Sequence, residues 1–288
     1  MNRGTQRYLT SSRLIGFWRR YRRNRAAVIG LATTCFFVAI AFAAPLISPF
    51  DPLRMIGRPF ETPNDAHPMG TDDLGRDIFA GVLYGSRISL LVGFLAAATS
   101  TAIGIFIGGL SGYYGGHIDD ILMRITELFL VIPMFFLALI MVALFGANMW
   151  NIILVIGVLT WPATARLARA EFLSLKEREF TDAARALGAS DRNLIFDEIL
   201  PNAIPPVIVN GSLMVARAIL TEAGLSFLGL GDPTVASWGI MLNNAQRFIR
   251  QAWWMAIFPG LSIFLLVLGL NLVGDGLNDA LNPRLRER

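Results

Sequence analysis

One cysteine, two histidines and a single lysine, Lys176, are all that 288 residues hold of three chemically versatile side chains. Alone, Cys35 can form no internal disulfide and no two-cysteine metal site; it lies in an apolar run, where a thiol behaves as a small hydrophobe. Charge is scarce too: 16% of residues are charged against 54% hydrophobic, and the mean hydropathy is +0.54. That leaves too little polar surface to coat a globule, although the length alone would allow two soluble domains. There is no G-x-S-x-G elbow and no H-E-x-x-H pair, and the glycines of 225–231 lack the Lys-Ser/Thr of a phosphate loop. What the chain does have is long uncharged runs, and these define an all-α integral membrane protein.

A spanning helix needs about 20 mostly apolar residues. The first runs from Ala26 to Phe50 and the second from Ile88 to about Gly112, with Gly93, Gly104, Gly108 and Gly109 permitting close helix contact. No charge occurs between Glu127 and Arg166, too long a stretch for one helix. Gly146-Ala147-Asn148 divides it into a third span near Leu128–Phe145 and a fourth near Trp150–Ala165. The fifth covers Ile204 to about Leu220 and the sixth Trp254–Val273, making six transmembrane helices. Backbone amides in lipid must pair internally, so helices are the expected form.

Net charge +4 and pI 9.7 do not require a nucleic-acid partner, because the arginines sort by side of the membrane. Arg3, Arg7, Arg13, Arg19, Arg20, Arg22, Arg23 and Arg25 precede the first span, and the 166–203 loop and the tail carry most of the others. Both termini and that loop are therefore predicted on the cytoplasmic side, in contact with membrane lipid. Trp150, Trp253 and Trp254 fall at outer span edges, as an aromatic belt would place them. The basic start followed by Ala41-Phe42-Ala43 also imitates a signal peptide, but an uncharged run of about 25 residues exceeds the usual signal core and favours a retained helix. The organisation is a basic segment 1–25, a first helix 26–50, an extracytoplasmic loop 51–87, a five-helix core 88–275 with the loop 166–203, and a tail 276–288.

Residues 179–202, EFTDAARALGASDRNLIFDEILPN, carry charge between two apolar segments. Ala183, Ala184, Ala186 and Leu187 suit a short amphipathic helix that Gly188 ends, or where it allows a second chain to approach. Ser190 or Asp191 can cap a second helix over Asn193–Ile199, which Pro201 stops. An interfacial helix resting on headgroups would show the same alternation. The spelling goes further: Asp182-Ala183-Ala184, Gly188, then Leu200-Pro201 resembles the "EAA" loop of importer-type ABC permeases, with Asp182 where that pattern has Glu.

Other segments are similar to the C-type permeases of dipeptide, oligopeptide and nickel importers: His67-Pro68-Met69-Gly70-Thr71-Asp72, Tyr84-Gly85-Ser86-Arg87, Gly112-Tyr113-Tyr114-Gly115-Gly116, Leu225-Ser226-Phe227-Leu228-Gly229-Leu230-Gly231 and Asn271-Leu272-Val273-Gly274-Asp275. The resemblance implies a type I ABC importer permease fold with cytoplasmic coupling helices. It implies coupling to an ATPase through Glu179, Phe180, Asp182, Ala183, Ala184, Gly188, Ala189, Leu200 and Pro201. It also implies a second permease, two ATP-binding subunits that hold ATP and Mg, and an extracytoplasmic solute-binding protein, with no cofactor or catalysis on this chain. Peptides are the commonest cargo of such permeases; nickel complexes, opines and oligosaccharides are alternatives.

Arg217 and Glu222 lie in or at the outer end of the fifth span, five apart and so not stacked on one helix face. A charge near the bilayer centre costs on the order of 3 kcal/mol, so each should face protein or water. Arg217 and Glu222 are the candidate translocation-pathway residues; Arg217 either faces that pathway or pairs with an acid on a neighbouring helix or the partner permease. Asp72, Asp73 and Asp77 with His67 suit a structured loop better than a metal site, and His117 with Asp119 and Asp120 suits a solvated helix end. An ion-coupled secondary carrier would need acids at mid-membrane, where Glu222 is the one candidate. An intramembrane enzyme would need catalytic groups within the spans, and both histidines fall outside them.

Overall fold

A computed structural model describes residues 16–48 and 50–281; Arg3, Arg7 and Arg13 and the tail from Asn282 lie outside the described residues. Among the described residues the elements are helical, with only two isolated β-bridges in the loop before the second long helix. The helices are α1 (Arg25–Ile47), α2 (Ile78–Tyr114), α3 (Gly116–Val131), α4 (Met134–Phe145), α5 (Met149–Lys176) and α6 (Glu179–Ala186). A turn at Asp191–Asn193 and a wider π-helical segment Leu194–Ile199 then lead into α7 (Leu200–Leu225). A second π-type segment Ser226–Leu230, α8 (Trp238–Ala245) and α9 (Trp254–Leu281) complete the bundle. The end that carries residues 50–77 is called the upper end here, and the end that carries 177–199 the lower.

Five helices are long and apolar enough to cross a membrane, and the bent pair α3–α4 gives a sixth if the two cross as one span. Short polar side chains start several of them: Asn24, Asp77, Asn148 and Ser237 each accept a hydrogen bond from a first-turn backbone N–H. Small residues then set how closely the helices pack. A side chain at Gly108 of α2 would meet the Ala165 carbonyl of α5 at 2.2 Å, and one at Gly30 of α1 would meet Leu272 of α9 at 2.5 Å. Where lipid replaces water, such close approach and a few polar bridges hold helices together. One bridge is the Asn210 side-chain amide of α7, which donates to Thr164 Oγ1 of α5 at 2.9 Å. Trp238 is fully buried in the central core against Phe37, and its indole N–H donates to the Val82 carbonyl at 3.0 Å.

Four expectations are corrected. The helix that carries the second span begins at Ile78, ten residues before Ile88, because Asp77 caps it by accepting from Ala80 N at 2.8 Å. The third span is not one straight helix from Leu128: it starts at Gly116 and bends by 85° between α3 and α4. Pro133 has no N–H to donate and drives Ile132 into an extended conformation, φ −80° and ψ 128°. Pro201 does not stop the chain's helical course; it occupies the first turn of α7, where a missing N–H costs nothing. Trp254 does not belong to a belt: it is buried, and its indole N–H donates to the Thr71 carbonyl at 3.0 Å, while Trp150 and Trp253 remain exposed.

The upper loop is built by its own polar groups. His67 Nδ1 lies 2.6 Å from Asp77 Oδ2, and Arg76 Nε donates to Asp72 Oδ2 at 2.5 Å. Thr71 Oγ1 donates to the Arg58 carbonyl at 2.6 Å. Asp232 ties the turn before α5 to the segment before α8, accepting from Met149 N at 3.0 Å and Thr234 Oγ1 at 2.6 Å. Burial alone would raise the Asp232 carboxyl, but the Thr234 and Met149 hydrogen bonds outweigh it and hold it below the usual carboxylate range.

Candidate functional site

The predicted elbow stands at the lower end. Glu179, Phe180, Asp182, Ala183 and Ala184 all fall on α6, one short helix. At its foot Thr181 is fully buried and donates from Oγ1 to the Leu175 carbonyl at 2.8 Å, so α6 is bound to the last turn of α5. Ala184 and Ala189 pack partly under the helix, on a small core of Tyr113, Phe172, Leu194, Ile199 and Ala203 that Leu200 also joins. Glu179, Phe180, Asp182, Ala183 and Gly188 stay exposed. The exposed Asp182–Arg185 pair, at 2.9 Å, adds little stability.

Gly188 ends α6 in the left-handed region, φ +85°. Its N–H donates to the Arg185 carbonyl at 3.0 Å, and Ala189 N–H donates to Ala184 at 3.1 Å. These are the two bonds of a Schellman stop, which closes the last orphan carbonyls. Nothing lies within 4 Å of where a Gly188 side chain would point, so within this chain the backbone conformation alone asks for glycine. Gly188→Ala should cost about 1–2 kcal/mol locally. Hydrogen exchange should then show roughly tenfold less protection at Leu187–Ala189. Unchanged protection would remove the stop from the account.

Beyond the stop, Ser190 caps the next turn and Pro201 opens α7 without a break. The elbow is thus joined across one turn to a spanning helix at one end and hydrogen-bonded to another at the other. Two positions that matter here were not among the predicted coupling residues. One is Thr181, whose burial could not be read from a threonine among charges. The other is Leu187, 88% exposed at the tip of the elbow; an apolar residue directly before the Gly stop was the available signal.

On α7, Arg217 is exposed and forms no ion pair among the described residues. Glu222 differs: it is buried within this chain, and its Oε1 accepts from Ser226 Oγ at 2.7 Å. Its Oε2 finds no partner among the described residues. Asp119, expected at a solvated helix end, instead accepts two hydrogen bonds from Arg169 of α5, both 2.5 Å, and one from Ser111 of α2. It clamps α3 to the two helices beneath it. His117 and Asp120 are exposed.

A family model described as the binding-protein-dependent transport system inner membrane component matches residues 102–287. A second, described as the N-terminal TM domain of oligopeptide transport permease C, matches residues 12–66. The chain is 40% identical over 272 residues to a dipeptide transport system permease protein of Alkalihalophilus pseudofirmus, covering 93% of this chain and 89% of that one. It is 42% identical over 273 residues to a glutathione transport system permease protein of Pectobacterium atrosepticum, covering 94% and 91%. A crystal structure of an amino acid ABC transporter with histidines superposes with a TM-score of 0.53 at 17% identity, over 69% of this chain and 92% of the other. At that identity the likeness speaks for the fold alone. Length, helical bundle, elbow and family agree: the chain belongs to the binding-protein-dependent transport system inner membrane components and is a multi-pass permease subunit of an ABC importer.

Proposed function

We propose that this chain forms half of a passage for a peptide-like solute through a bacterial inner membrane, with both termini cytoplasmic. A second, related permease supplies the other half. Two ATP-binding subunits, which hold ATP and Mg, dock on the elbow of 166–203, and a solute-binding protein delivers cargo to the upper end. The peptide-like cargo rests on the dipeptide and glutathione permeases among the relatives. The observation that carries the coupling role is the elbow itself, an exposed helix tied to α5 through Thr181 and joined, across the Gly188 turn, to the helical segment Asp191–Ile199 that runs into α7. A displacement of such a helix passes directly into α5 through Thr181 and across one turn into α7, which suits rigid-body rocking of the bundle.

Arg217 is then the pathway residue of α7; it is open to the outside of this bundle, whereas Glu222 faces this chain's own interior. A guanidinium on the passage attracts the carboxylate that a peptide carries. Arg217→Ala is expected to lower uptake of peptides with a free C-terminal carboxylate about tenfold, while C-terminally amidated analogues change little. Equal uptake of both series by the variant and the parent would dismiss the pathway role. Purification in mild detergent should bring an ATPase and a second permease with this chain, and their absence would dismiss the assembly.

A further inference from the structure

Between the lower half of α2 and the segment that opens α7 lies an open groove of about 380 Å³. Ile105, Phe106 and Leu110 of α2 form one wall, and Phe196 and Leu200 form the other. The lining is apolar except at the lower mouth, where Tyr114 and Arg192 stand. Arg192 makes no ion pair among the described residues. The carboxylate next to it in sequence, Asp191, accepts from the Tyr113 hydroxyl at 2.7 Å and forms no ion pair with Arg192.

On the reading above, in which Arg217 faces the passage, the α2 side of α7 faces away from it. On α7, Val215 and Ile219 meet α2 at Gly93. Arg217 lies midway between them, and the 3.6-residue turn directs it to the opposite face. A groove on the α2 side therefore faces lipid when Arg217 faces the passage.

We propose that this groove is a binding site for one anionic phospholipid of the cytoplasmic leaflet. An acyl chain lies along Ile105, Phe106 and Leu110, and the phosphate meets the Arg192 guanidinium at headgroup depth. Charge complementarity selects the occupant: an apolar slot with one unpaired cation at its mouth matches a lipid with one net negative charge better than a zwitterion. The far wall is the segment Arg192–Leu200 that joins the elbow to α7, so the lipid packs against the coupling segment itself. This inference rests on the cytoplasmic placement of that segment in the reading above.

The test is native mass spectrometry of the full-length chain, with whatever chains copurify, titrated with dioleoyl phosphatidylglycerol or dioleoyl phosphatidylcholine. The parent should bind one phosphatidylglycerol more tightly than phosphatidylcholine. Arg192→Glu should weaken that binding about tenfold and leave phosphatidylcholine unchanged. Ala102→Trp, placed on the exposed rim to fill the slot, should displace the same lipid. Arg124→Glu, on the exposed face of α3, should change nothing. Equal affinity for the two lipids, or equal loss in the Arg192 and Arg124 variants, would overturn the site and leave only general annular contact. The readout needs no ATP hydrolysis: a preparation without an ATPase would sink the coupling reading while the titration still judged the groove.

Discussion

Replacing Phe180 and Leu187 together by alanine should lower solute-stimulated ATP hydrolysis and uptake about a hundredfold, with the chain still inserted and folded. Both side chains sit on the surface of the elbow, 39% and 88% exposed, and neither belongs to the small core beneath it. Surface truncations of this kind change stability by only about 0.5 kcal/mol. At an interface the same truncations act differently. Large apolar side chains ringed by polar ones are where docking energy concentrates, about 2 kcal/mol or more for a central anchor. Glu179, Asp182 and Arg185 supply that polar ring here. Loss of two anchors would then cost on the order of 3 kcal/mol or more, about two decades in affinity. The measurement is ATPase activity and co-purification of the ATPase with the double variant. Full turnover with normal thermal stability would show that the motor grips elsewhere.

The second large effect concerns the α2–α5 contact. Gly108→Val is expected to destabilise the bundle by about 3 kcal/mol, the upper part of the usual range for overpacking. A side chain there would lie 2.2 Å from the Ala165 carbonyl, 2.8 Å from Ala168 Cβ and 2.9 Å from Arg169 N. Two of those three atoms are backbone, so no rotamer change relieves the clash and the helices must part. Parting them also pulls Arg169 from Asp119, the clamp that holds α3. Gly211→Ala is the internal control: the nearest atom to its added methyl would be Thr101 Oγ1 at 3.5 Å, an ordinary contact. Thermal unfolding in detergent should therefore separate the two variants clearly, the first well below the parent and the second at or above it. If both melt together with the parent, close approach at Gly108 does not hold these helices.

Much of this was legible in the sequence because it depends on neighbours along the chain. Uncharged runs of spanning length need only local composition. The break at Gly146–Asn148 and the stop at Gly188 are likewise local, one a cap and the other a backbone conformation. Pro133 was less readable: a proline within an apolar run is tolerated in membrane helices, and only packing decides whether it bends one. The length of α2 was missed because its cap, Asp77, lies in a loop whose folding brings His67 against it.

The amino-acid order by itself determined that the chain is a membrane bundle, roughly where its helices cross, and that a charged elbow lies between the fourth and fifth spans, since hydropathy and glycine chemistry act within a few residues. The tertiary structure alone decided which polar groups are spent holding the bundle together and which stay free. Asp119 meets Arg169 across 50 positions, Trp254 meets Thr71 across 183, and Glu222 turns inward while Arg217 does not. Such pairings follow from how helices approach in three dimensions, and local pattern carries no information about separations of that length.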